Sequence, residues 1–93
     1  EKLMAVAVEL GDVSLSSDLE LPLSAEVQVR YRGTPLPARI VKAAGGARVL
    51  FEKPVQAAVP GQFAVFYSGS RVLGGGLIRK AEHAEKAALE LSP

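Results

Sequence analysis

Apolar and polar residues alternate with a period of two along most of the chain, from Met4 to Ile78, the spacing that sends successive side chains to opposite faces of a strand. The clearest run is Val27, Val29 and Tyr31 interleaved with Gln28, Arg30 and Arg32. Residues 4–10 read as a first strand, closed by turn chemistry at Gly11-Asp12, and residues 13–15 as a short extended piece before Ser16-Ser17-Asp18. Residues 38–43 and 48–52 flank Ala44-Gly45-Gly46-Ala47, where the paired glycines supply the positive φ of a tight antiparallel hairpin. Pro60-Gly61 has the order of a type II turn, with proline fixing the first central φ and glycine accepting the left-handed second one. A strand over 62–67 follows, then Ser68-Gly69-Ser70 and a strand over 71–78. Inside that last strand Gly74-Gly75-Gly76 marks a bulge or a barrel corner rather than a regular ladder.

About six short strands, spaced by about ten residues and punctuated by glycine and proline, predict an all-β fold, a small six-stranded barrel over residues 1–79. Alternation points Val27, Val29, Tyr31, Val49, Phe51, Val65 and Tyr67 into its core. From Lys80 the period changes. Ala81, Ala84, Ala88 and Leu91 recur at helical spacing, with Glu82 four residues before Lys86, so residues 80–93 are expected to form a short helix or a tail.

Composition narrows the chemistry. The 93 residues are 48% hydrophobic but only 5% aromatic, so a single modest core must be built from Val, Leu, Ala and Ile. Without cysteine there is no disulfide framework, thiolate metal site or persulfide chemistry, which suits a reducing cytoplasm. The lone histidine, His83, cannot hold a metal by itself, so no metal site is expected. The longest uncharged stretch, residues 54–70, is broken by Pro60-Gly61 and Gln62, so no membrane span is expected and the chain should be soluble. Nucleophilic catalysis needs a base beside a Ser, Cys or Thr, and the one histidine sits in the polar tail. The triple glycine continues into Leu77-Ile78 rather than a helix, so it is not a phosphate-binding loop.

Net charge is +1, but unevenly spread. Residues 1–20 carry one Lys against five acids, and residues 81–93 one Lys against three. Between 21 and 80, nine cations face only Glu26 and Glu52, an excess of +7. Two readings fit that middle segment: the solvated exterior any barrel needs, or a surface facing a polyanion.

Two stretches carry a resemblance. The first is Val29-Arg30-Tyr31-Arg32 followed by Pro35 and Pro37-Ala38-Arg39. The second is Ala57-Ala58-Val59-Pro60-Gly61-Gln62-Phe63-Ala64-Val65-Phe66-Tyr67, then Gly69 and Val72-Leu73-Gly74-Gly75-Gly76-Leu77-Ile78, with Phe51-Glu52-Lys53-Pro54 leading into it. In this order they resemble the C-terminal domain of the tRNA-specific 2-thiouridylases, also called tRNA 5-methylaminomethyl-2-thiouridylate methyltransferases. Leu15 stands where that family usually has an aromatic, and the tail after Ile78 matches nothing in it.

The resemblance implies a barrel related to domain 2 of the tRNA-carrying elongation factors. It also implies a non-catalytic, cytoplasmic role: contacting tRNA while the rest of the enzyme uses ATP to replace the 2-oxygen of the wobble uridine by sulfur. In that family the ATP loop and two catalytic cysteines belong to an N-terminal domain, and this sequence has neither a Ser-Gly-Gly loop nor a cysteine. The chain alone is therefore expected to be no enzyme and to hold no cofactor, with tRNA and the remaining domains as partners. The family's tRNA contacts match Arg30, Tyr31 and Gln62, and Arg32, Arg39 and Arg71 are further candidates on charge. Alternation exposes Arg30. Tyr31 reads equally as a core aromatic or a stacking platform, and Gln62 as a base reader or a turn cap.

Two other classes remain open on sequence. Pro60-Gly61-Gln62-Phe63 also resembles the turn of flavin-binding reductase barrels, but their Arg-x-Tyr-Ser or Arg-x-Tyr-Thr motif is missing. A plain protein-interaction barrel is the other, and its apolar contacts would resist salt where phosphate contacts do not.

Overall fold

A computed structural model describes residues 4–30, 32–56 and 58–83. Six strands, β1 (Met4–Leu15), β2 (Leu23–Gln28), β3 (Leu36–Ala43), β4 (Gly46–Gln56), β5 (Phe63–Ser68) and β6 (Arg71–His83), close into a barrel in the order β1-β4-β3-β2-β5-β6. Every neighbouring pair is antiparallel, β6 closing the ring on β1. The all-β barrel expected from the alternation is the fold. Closure removes the free sheet edges that would otherwise template aggregation.

The core is mostly aliphatic, as the composition requires, with Phe51 and Phe66 as its aromatic members. Among the described residues its largest fully buried side chains are Phe66, Ile40, Ile78, Val8, Val27 and Val49, and no polar or charged residue is buried with them. Each is worth about 1.5–3 kcal/mol of transfer free energy. Leu15, Leu19, Leu21 and Leu23 pack against this core as half-buried residues.

Several strands depart from the expected bounds. β1 runs unbroken through Gly11-Asp12. The turn chemistry there is spent on a bulge, with Asp12 at φ 50° and the register against β6 shifting between Gly11 and Ser14. β4 extends to Gln56, and its exposed Glu52, Lys53 and Pro54 swell out of the ladder with β1. β6 continues to His83, so Lys80, Ala81 and Glu82 lie opposite Glu9, Val8 and Ala7 as strand and not helix. The rest of the expected helix lies outside the described residues.

The inward face of β5 is corrected by one position. Ala64 and Phe66 are fully buried, while Val65 and Tyr67 are half-buried on the outer face. In the unbroken apolar run from Phe63 to Tyr67 alternation cannot choose a face. Pairing chooses it, by setting Phe66 opposite the buried Val27 of β2.

Two turns and one strand position show what their glycines do. Gly61, at φ 96°, takes the left-handed position of the expected type II turn, and Gln62 N donates to Val59 O at 3.2 Å. In the β3–β4 hairpin only Gly45 has positive φ, 78°, whereas Gly46 is required because a Cβ there would collide with the Leu10 carbonyl of β1. At Gly74 a Cβ would strike the Ser14 carbonyl, and one residue away the β5–β6 register shifts between Phe66 and Tyr67. The irregularity expected at the triple glycine thus falls on Leu73 just before it, while Gly74, Gly75 and Gly76 pair in regular register with Phe66, Val65 and Ala64.

Candidate nucleic-acid interface

β2 ends at Gln28, and residues 30–33 make a reverse turn in which Gly33 N donates to Arg30 O at 2.9 Å. Arg32 occupies the left-handed region, φ 61°. The Gln28 amide braces this turn from below: its Nε2 donates to Gly33 O at 2.9 Å, and its Oε1 accepts from the Tyr67 hydroxyl of β5 at 3.1 Å. A Cβ on Gly33 would lie 2.9 Å from Arg30 Cγ, so glycine is what lets the Arg30 side chain fold back against the turn. Arg30 is exposed and its guanidinium has no hydrogen bond or ion pair with any described residue. Its exposure thus comes from a turn and not, as the alternation suggested, from the outer face of a strand.

The second turn, residues 59–62, is tied to β6. Gly61 N donates to Ile78 O and Ile78 N to Gln62 O, both at 2.8 Å. With its backbone held, Gln62 presents an exposed side-chain amide that bonds to no described residue, so the turn is closed by its main chain and not by that amide. Beside it Phe63 is 62% exposed. Exposed aromatic faces are where unpaired bases stack.

Register brings these turns to one rim. Gln28 lies opposite Val65 in the antiparallel β2–β5 pair, so the chain leaving β2 toward Arg30 and the chain entering β5 from Gln62 project from the same end of the barrel. The other candidates separate. Arg32 shares Arg30's turn. Arg39 stands on the outer wall of β3, opposite Ser24 and Leu50. Arg71 begins β6 at the opposite rim, where one guanidinium nitrogen donates to both Asp18 carboxylate oxygens, at 2.8 and 2.9 Å, and to Ser16 Oγ at 3.1 Å. Tyr31 lies outside the described residues.

The charge map also changes in three dimensions. Arg48, Arg71 and Arg79 pair with Glu82, Asp18 and Asp12, acids contributed by the negatively charged flanks of the sequence. The +7 segment is therefore partly neutralised by its own chain, and Arg30 takes no part in those three pairs. The hydroxyl of Ser16 and the Arg71 guanidinium hold the Asp18 carboxyl at about 2, below its ordinary 3.8. Among the described residues no group of His, Cys, Asp or Glu could hold a metal ion, and no helix is long and apolar enough to cross a membrane.

Sequence reasoning passed over Gln28 and Phe63. Gln28 was visible as a polar residue on the outward face of β2, yet its bond to Gly33 depends on how the turn folds back. Phe63 would have been found by putting Phe66 in the core, which sends Phe63 outward by parity.

Comparison with known proteins converges on the same chain segment. Residues 7–78 match the family model of the aminomethyltransferase β-barrel domain. The tRNA-specific 2-thiouridylase MnmA of Deinococcus radiodurans is 53% identical over 68 residues, 72% of this chain and 17% of that protein. The protein of the same name from Thermus thermophilus is 52% identical over 61 residues, 66% of this chain and 16% of that protein. That of Enterococcus faecalis is 38% identical over 90 residues, 92% of this chain and 24% of the relative. The chain thus spans about a sixth to a quarter of the length of these curated relatives. With the closed six-stranded barrel and a match covering most of its length, the chain belongs to the aminomethyltransferase β-barrel domain family.

Proposed function

We propose that this barrel is a non-catalytic tRNA-contacting domain of a tRNA 2-thiouridylase, which helps position tRNA while another part of the enzyme uses ATP to thiolate the wobble uridine. The observation that carries the reading is the convergence of the 30–33 and 59–62 turns on one rim, each with an exposed, unengaged polar side chain, Arg30 and Gln62. A guanidinium and a carboxamide together suit phosphate oxygens and base edges. The names of the relatives, tRNA-specific 2-thiouridylases, supply the substrate class. In this reading the partners are tRNA and the remaining domains of the enzyme, the setting is the cytoplasm, and the barrel itself holds no cofactor.

The test is tRNA affinity, measured over a range of salt concentrations in the protein that carries this barrel. Arg30→Ala should weaken binding and reduce the log–log salt slope by about one, the signature of a lost phosphate contact. Arg71→Ala, at the other rim, should change neither. Equal affinities for wild type and Arg30→Ala at low salt would refute the reading.

A further inference from the structure

Between the 30–33 turn and the end of β4 lies a cleft of about 230 Å³. Its floor is apolar, made by the buried Val29 and Val55 with the half-buried Leu36. Its rim is polar: Arg30 and the exposed Thr34 on one side, Gln56 on the other. The Gln56 side chain, like that of Arg30, bonds to no described residue. Among the described residues no carboxylate lines the cleft, whereas two further depressions on the barrel contain Glu26 with Glu52, and Glu20 with Lys42.

We propose that this cleft receives one unstacked nucleobase of the bound tRNA, with Gln56 reading the edge of the base and Arg30 holding the adjoining phosphate. The inference rests on the tRNA reading above and gives it a specific site. Size favours a single heterocycle, since the volume falls below the range of about 300–1,000 Å³ typical of pockets for larger ligands. Chemistry favours a base over a bare phosphate, because an apolar floor has nothing to offer an oxyanion but matches the face of a ring. A carboxamide at the rim offers donors and an acceptor together, as a base edge demands. The turn that carries Arg30 is held in place beforehand by Gln28 and Tyr67, so its backbone need not be ordered on binding.

Affinity titrations with tRNA and with a blunt RNA duplex, using wild type, Gln56→Ala, Thr34→Trp and Arg30→Ala, test this directly. Gln56→Ala removes the reading amide, and Thr34→Trp fills the cleft from an exposed position. Each should weaken tRNA binding by about fivefold, as for a lost neutral hydrogen bond, with the salt slope unchanged. Neither should affect the duplex, which has no unstacked base to offer. If both variants bind tRNA like wild type while Arg30→Ala still weakens it, the cleft assignment falls and the tRNA reading stands. An equal loss on duplex and tRNA would mean the cleft touches backbone, which also overturns it. If no variant affects tRNA binding, both readings fall.

Discussion

Arg48 of β4 grips Glu82 of β6 with two hydrogen bonds, Nε to Oε2 at 2.9 Å and Nη2 to Oε1 at 2.6 Å, reaching across the strand that separates them. β1 runs between, with Glu9 opposite Arg48 and Ala7 opposite Glu82. Ala7 is 1% exposed yet stands apart from the core cluster, as expected for an outward residue roofed by an ion pair. The pair pins the last turn-ward residues of β6, which lack β5 as a neighbour beyond Leu77. Because the side chains are 38% and 32% exposed, solvent screens them, and Glu82→Ala should cost about 0.5–1 kcal/mol in a urea titration. A double-mutant cycle with Arg48→Ala should return most of that cost as coupling.

Acid should loosen the barrel at two named places. The hydrogen bonds from Arg48 hold the Glu82 carboxyl below its ordinary 4.5, against the opposing effect of burial. Asp18 titrates at about 2 rather than 3.8, through Ser16 and then Arg71. Both folded-state values are depressed, so their stabilisation is complete above the unfolded values and is lost as pH falls through the folded ones. Unfolding midpoints should therefore decline from about pH 4.5 downward, and Asp18→Asn should flatten the part of that decline between pH 3.8 and about 2. An unchanged profile in Asp18→Asn would show that the Asp18 contacts do not persist in solution.

The one-residue shift of β5 makes a sharp stability prediction. Phe66→Ala should cost about 3–5 kcal/mol, the range for a buried aromatic, whereas Val65→Ala on the outer face should cost about 1 kcal/mol or less. The opposite order would restore the inward face that alternation suggested.

That shift also shows what the sequence could disclose. Where polar residues interrupt the apolar ones, as around Val27, Val29, Val49 and Phe51, the inward face was legible and all four are buried. Where the run is continuous, parity is undetermined until a neighbouring strand fixes it. Punctuation was legible at Pro60-Gly61 and only to within one residue at the triple glycine, whose bulge falls on Leu73, and Gly11-Asp12 signals equally a turn and a bulge, so that only the pairing with β6 decides. For the candidate site, Arg30 and Gln62 were singled out through family resemblance, while the bracing by Gln28 and Tyr67 and the Asp18 grip on Arg71 join residues 39 and 53 positions apart. Contacts at that separation leave no local pattern.

Adjacent glycines in the β3–β4 hairpin should respond differently to the same substitution. Gly45→Ala places a side chain in open space and pays only for positive φ, about 1 kcal/mol. Gly46→Ala drives a methyl group into the Leu10 carbonyl of β1 and should cost more, about 1–3 kcal/mol of strain in thermal or urea unfolding. Equal costs would mean the β1–β4 approach is looser than the structure has it.

Under the proposed function one rim of this barrel meets tRNA and the other does not. Amide hydrogen exchange of the tRNA-bound protein against the free protein reads both rims in a single measurement. Added protection is expected at residues 30–34 and 59–63, around Arg30 and Gln62, and none at residues 16–19 and 68–72, where Asp18 and Ser16 already occupy Arg71. Protection confined to the Asp18–Arg71 rim, or none at either rim while tRNA is bound, would contradict it.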